Sequence, residues 1–167
     1  MGEAQGQGPS FRSRKRELNT KLVSSIEAAT HSRLRTVTVD ALLREVARLL
    51  SNTQISLVVV CDEAGAMAGV VTKTDIVRQI SDFEGAACAR NAADVMTREV
   101  TFCRATDSLP NVLAMMQVRG LVHVPVIDAA GTPTGVVNAR DALRELLAEG
   151  QYEEALLRDY VMGVGYR

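Results

Sequence analysis

The chain has 167 residues and a formal net charge of −1, with 47% hydrophobic and 23% charged residues. That length suits one compact domain or two small ones sharing a core; the hydrophobic share excludes a mainly disordered chain, and the balanced charge gives no overall attraction to nucleic acid or an anionic membrane. No apolar run approaches the roughly 20 residues of a spanning helix and the first residues lack the apolar core of a signal peptide, so a cytoplasmic protein is expected.

In chain order, residues 1–16 read as a disordered tail: the first ten are rich in Gly and Gln, and Arg12, Arg14, Lys15 and Arg16 follow as a basic cluster. Residues 17–30 place Leu18, Leu22, Val23 and Ile26 on one helical face, a helix expected to pack on the unit after it. Residues 31–83 then read strand, helix, strand, strand, helix. The first strand covers 34–39, and the helix over 41–50 carries Leu42, Leu43, Val46, Leu49 and Leu50 on its apolar side. The run at 56–61 is continuously apolar, as in a strand buried on both faces. Asp62-Glu63-Ala64-Gly65 supplies a turn, 67–71 returns as a strand, and Thr72 starts a helix carrying Ile76, Val77 and Ile80.

Residues 84–91 form a connector, and 92–147 repeat the order: a strand near 100–104, a helix over 108–118, strands at 122–127 and 134–137, and a helix to about 147. Residues 148–167 hold a last amphipathic helix with Leu156, Leu157, Tyr160 and Val161 on one side. Of the three cysteines, Cys61 and Cys103 fall in predicted strands and Cys88 in the connector; their number and spacing suggest free thiols, not a metal site.

The repetition keeps a single register. Residues 36–80 recur without a gap at 102–146, an offset of 66. Gly69-Val70-Val71-Thr72-Lys73-Thr74-Asp75 returns as Gly135-Val136-Val137-Asn138-Ala139-Arg140-Asp141, and Asp62, Gly65 and Arg78 match Asp128, Gly131 and Arg144. Two copies suggest a closed pair rather than an open array. The fold class expected is therefore α/β (α+β): two β-α-β-β-α units related by a pseudo-two-fold, flanked by N- and C-terminal helices, with two equivalent clefts where they meet.

The pattern x-V-P-V-x-D-x-x-G followed by G-V-V-(T/S)-x-x-D resembles the cystathionine-β-synthase (CBS) domain, and two in tandem resemble a Bateman module. The second copy is especially similar, opening on Asp94-Val95-Met96-Thr97 and carrying His123-Val124-Pro125-Val126-Ile127-Asp128. The likeness covers roughly residues 28–147, and the free-standing pair looks like bacterial stand-alone CBS-pair proteins. It implies binding of an adenosyl ligand (AMP, ADP, ATP, NAD or S-adenosylmethionine), a disc-shaped homodimer, and regulation of a protein partner.

The repeated helix entrance admits two readings. In one, Asp75 and Asp141 accept hydrogen bonds from ribose hydroxyls, while Thr72, Lys73 and Thr74 in the first copy and Asn138 and Arg140 in the second meet phosphate at a helix start. In the other, Thr72-x-x-Asp75 is a capping box and Asn138 an N-cap, finishing helices. Gly69 and Gly135 admit either close approach of a base or relief of crowding. Thr36, Val37 and Thr38, with Thr101 and Phe102 in the second copy, are candidates for an adenine slot by family resemblance alone.

His123, before the Val-Pro-Val strand, is assigned to the structure or the cleft, and no nucleophile–base pair is apparent. The expectation is a sensor without catalytic activity or catalytic cofactor, whose occupancy shifts shape or oligomeric state. A ligand-free dimerisation scaffold and a nucleic-acid-associated regulator using the basic tail are the alternatives.

Overall fold

Residues 21–82 and 89–148 are described in the computed structural model. The predicted basic tail, residues 17–20 of the predicted N-terminal helix, Cys88 and the predicted helix over 152–162 lie outside the described residues.

A short 3-10 turn at Val23–Ile26 leads into α1 (Glu27–Arg33); β1 (Thr36–Thr38), α2 (Leu43–Leu50), β2 (Leu57–Cys61), β3 (Met67–Thr72) and α3 (Lys73–Asp82) complete the first repeat. α4 (Ala92–Val95), α5 (Leu109–Arg119), β4 (His123–Ile127), β5 (Pro133–Asn138) and α6 (Ala139–Ala148) form the second. β1 runs parallel to β2 and β2 antiparallel to β3, while β4 and β5 form a two-stranded sheet. The strand expected at 100–104 is reduced to one parallel bridge, Cys103 to Val126, in the register that joins Val37 to Val60 in the first copy. β1 is likewise shorter than the predicted 34–39, and the helix expected from Thr72 begins at Lys73 because Thr72 is still paired in β3.

The two hairpins are built alike down to the atom. Asp62 Oδ1 accepts the N–H groups of Ala64 and Ala66 at 3.0 and 2.9 Å, and Asp128 Oδ1 those of Ala130 and Thr132 at 2.9 Å each. Gly65 and Gly131 both turn through φ 82°, a left-handed conformation that costs glycine nothing. The Asp-x-x-Gly repeat is therefore explained by local turn chemistry.

The leading segments are exchanged between the repeats. Val23 and Ile26 are buried with Leu109, Met116, Val137 and Leu146 in the core of the second copy, whereas Ala92 and Met96 are buried with Val46, Val58 and Val71 in the first. Equivalent backbone bonds make both exchanges: Leu109 N–H to Lys21 O and Leu43 N–H to Arg90 O, each 2.8 Å. The helix expected to pack on the first unit thus packs on the second. It is also not one helix: Leu22 is extended, bridged to Ser108, and the α-helix starts only at Glu27.

A third apolar cluster, Leu57, Val59, Cys61, Val70 and Val136, joins the two sheets. β2 is buried along its whole length because one face meets its own helices and the other meets this junction.

Candidate functional site

A cleft of about 560 Å³ opens between the repeats. Ser56, Leu57, Val70, Thr72, Lys73 and Thr74 supply one wall, from the ends of β2 and β3 and the first turn of α3. The other comes from the second copy: Thr97, Glu99, Val100 and Thr101 before the Cys103 bridge, and Leu121, Val122, His123 and Pro125 at the start of β4. Gly120 shapes this wall by ending α5 in the left-handed region at φ 66°. Its N–H bonds Gln117 O and the next N–H reaches Met116 O, which caps the helix and turns Leu121 and Val122 towards the cleft.

Thr72 ends β3 where Asp75 starts the helix. Asp75 Oδ2 accepts both the Thr72 N–H at 2.8 Å and the Thr72 hydroxyl at 2.9 Å, while the Asp75 N–H lies 3.4 Å from Thr72 Oγ1. The capping box is therefore formed. Asp75 is only 13% exposed and sits behind Thr72, with the guanidinium of Arg78 at 3.7 Å from Oδ1. Lys73 and Thr74 are exposed, and Lys73 Nζ lies 3.5 Å from Asn52 O.

The second entrance is arranged differently. Asn138 Oδ1 accepts the Arg140 N–H at 2.8 Å, and its amide approaches His123 Nε2 at 3.0 Å. Asparagine thus caps without help from the carboxylate three residues on. Asp141 instead meets Arg33 of α1 in a two-pronged ion pair: Arg33 Nε to Oδ2, and Nη2 to Oδ1 at 3.1 Å. Arg140 is exposed.

His123 is held neutral by its surroundings: burial lowers its pKa from 6.5, the Arg33 charge adds to this, Asp141 opposes it and Lys73 adds a little. The Asn138 amide donating to Nε2 is the contact a neutral ring accepts. Burial and then the Asp107 charge push the Cys103 thiol up to about 12, and burial followed by Asp62 raises Cys61, so both are inert thiols at neutral pH.

Of the residues singled out from sequence, Thr72, Lys73, Thr74, His123 and Thr101 come together in the cleft, with Asp75 directly behind. Val37 does not: it packs into the first core. Thr38 bonds Asp40 on the surface, and Thr36 is exposed. Phe102 turns into a neighbouring cavity of about 410 Å³ with Arg119, and Arg104 lies 5.8 Å above its ring. Gly69 and Gly135 lie against the leading segments of the opposite repeats. A Cβ on Gly69 would stand 2.7 Å from Thr97 O, and one on Gly135 would stand 2.7 Å from Thr30 Oγ1.

Sequence reading missed Ser56, Glu99, Val100, Leu121 and Val122. Ser56 and Val122 are repeat equivalents just ahead of the central strands, so the pseudo-two-fold itself was the signal for that pair. Glu99 and Arg33 are another equivalent pair, of opposite charge.

Fold and cleft together define a paired α/β repeat protein whose halves meet over a polar-edged groove. The family model for the CBS domain matches residues 23–82 and 92–148, and the chain belongs to the CBS-domain family. Among solved structures, the CBS domain of a CBS-domain-containing membrane protein from Sphaerobacter thermophilus superposes with a TM-score of 0.64 at 25% identity, over 80% of this chain and 92% of that one. The CBS domain pair of protein MJ0100, solved with 5′-methylthioadenosine and S-adenosyl-L-methionine, gives 0.66 at 22% identity over 78% and 98%. CBSX2, solved with AMP, gives 0.65 at 19% over 77% and 98%.

Curated relatives include an arabinose 5-phosphate isomerase of Salmonella typhi, 31% identical over 65% of this chain, and an inosine-5′-monophosphate dehydrogenase of Mycobacterium leprae, 27% identical over 75%. The matches span 32% and 23% of those proteins' lengths. Among the described residues, no helix is long and apolar enough to cross a membrane.

Proposed function

We propose that the chain is a regulatory module that binds an adenosyl ligand in the cleft beside Thr72 and His123 and has no catalytic activity of its own. The observation that carries this reading is the cleft of about 560 Å³, a size that suits a nucleoside. Apolar Leu57, Val70, Val100 and Val122 suit a base, and Thr72, Thr74 and Lys73 at the α3 entrance suit a sugar and phosphate. The structures solved with AMP and with S-adenosyl-L-methionine support the ligand class. Asp75 takes ribose hydroxyls by exchanging its capping bonds for theirs. Because both repeats line the cleft, a ligand that binds one relative packing more tightly shifts the equilibrium towards it.

Binding of AMP to Asp75→Ala, measured by titration calorimetry, is expected to weaken by about tenfold or more, consistent with loss of a charge-assisted hydrogen bond. Equal affinity in the two proteins contradicts the site. A ligand at 100 times its Kd is also expected to stabilise the native chain by about 2.7 kcal/mol.

A homodimer and a protein partner belong to the same proposal. Val77 and Ile80, 65% and 66% exposed on α3, offer an apolar face to a second copy. One observation favours the second reading, a ligand-free scaffold: Asp75 and Asp141 are both satisfied within the chain. Under that reading no adenosyl compound raises the melting temperature.

A further inference from the structure

The offset of 66 that carries Asp75 to Asp141 also carries Arg33 to Glu99. Because the leading segments are exchanged, Arg33 lies against the entrance of the second copy and Glu99 lines the cleft at the entrance of the first. Equivalent positions of the two leading segments therefore carry opposite charges, and only Arg33 forms an ion pair with the carboxylate at the entrance it borders. Arg33 spends Nε and Nη2 on the two oxygens of Asp141 and Nη1 on Gln54 O at 3.1 Å, so its guanidinium spans from α6 to the loop ahead of β2. The repeat equivalent of Gln54 is Gly120, which has no side chain and borders the open cleft. Glu99 carries no positive charge to offer a carboxylate, and Asp75 is held by Thr72 and Arg78 of its own entrance, so among the described residues no equivalent guanidinium spans the first entrance.

We propose that Arg33 latches the Asp141 cleft shut, so that the chain takes one adenosyl ligand per two repeats, beside Asp75. This inference rests on the ligand reading given above. The latch is strong for a definite reason. The side chains of Arg33 and Asp141 are 19% and 11% exposed, and a two-pronged guanidinium–carboxylate pair combines charge with matched geometry. A neutral ribose diol that displaced Arg33 would leave a poorly hydrated cation without its counter-charge. Withdrawal of Arg33 leaves Asp141, Asn138 and Arg140 at a helix entrance equivalent to that of Thr72, Thr74 and Asp75.

Titration calorimetry with AMP on the full chain decides this. The native protein is expected to bind one AMP per chain and Arg33→Ala two, the second lost again in Arg33→Ala/Asp141→Ala. Arg33→Gln, which keeps the length and loses the charge, gives the same count and guards against misfolding of the alanine variant. Two sites in the native protein, or one site in both proteins, overturn the latch and leave the ligand reading standing. No binding by any of them overturns both. A double-mutant cycle in urea unfolding reads the latch without ligand: Arg33 and Asp141 are expected to couple by about tenfold in the unfolding constant, and additive effects overturn the proposal.

Discussion

Gly69 and Gly135 stand where a Cβ has no room. Each sits in the third strand of one repeat against the leading segment of the other, and Thr30 and Met96, the residues they admit, are themselves equivalent. Gly69→Ala drives a methyl to 2.7 Å from a backbone carbonyl and 2.8 Å from Met96 Sδ. The expected cost is about 1–3 kcal/mol, by the overpacking scale, read as a lower urea midpoint with unchanged slope. Gly65, whose Cβ would meet nothing, pays only for its positive φ, so Gly65→Ala is expected to cost about 1 kcal/mol. His123 gives a pH signature. Its folded pKa lies below 6.5, so the unfolded chain takes up the proton first and stability falls as pH drops from about 7 through that window towards the folded value. His123→Gln is expected to flatten this part of the profile of melting temperature against pH.

At the scale of elements, the exchange of leading segments fixes which core each mutation damages. Ile26, 6% exposed, belongs to the cluster of Leu109, Met116 and Leu146. Ile26→Ala is expected to cost about 2–4 kcal/mol. Hydrogen exchange should rise first in β4, β5 and α6 rather than in β1–β3; the opposite pattern would mean that the segment serves the repeat it precedes in sequence. The two closing helices also diverge. Leu143 and Leu146 on α6 are 8% and 1% exposed, whereas their equivalents Val77 and Ile80 on α3 are well exposed among the described residues. α5 runs for 11 residues against α6, while α2 has only 8. With α3 meeting a second copy as proposed, Val77→Asp/Ile80→Asp is expected to leave folding intact and to lower the mass seen by light scattering, and an unchanged mass contradicts that use of α3.

For the molecule as a whole, each repeat lacks part of its own core and borrows it from its neighbour. Val23 and Ile26 complete the second copy, Ala92 and Met96 the first, and Leu57, Val59, Val70 and Val136 bind the sheets to one another. Independent unfolding of one half would strip apolar surface from the other. A single cooperative transition is therefore expected, with far-UV circular dichroism and calorimetry coincident; two resolved transitions would contradict the exchange. The same coupling is what would give the proposed ligand its leverage, since the walls of the groove come from different repeats.

The amino-acid sequence by itself determined the duplicated order of helix, hairpin and helix, the Asp-x-x-Gly turns and the helix entrances at Thr72 and Asn138, because all of these follow from local hydrogen bonding and from periodicity within a few residues. It also carried the likeness that the family match makes certain. The tertiary structure alone decided which leader packs on which core, that Cys103 keeps one bridge where a strand was expected, that Val37 and Thr38 lie away from the groove, and that Arg33 rather than solvent meets Asp141. Each of these turns on contacts between residues far apart in the chain. An offset of 66 pairs equivalent positions, but it does not say which side chains meet across a pseudo-two-fold axis.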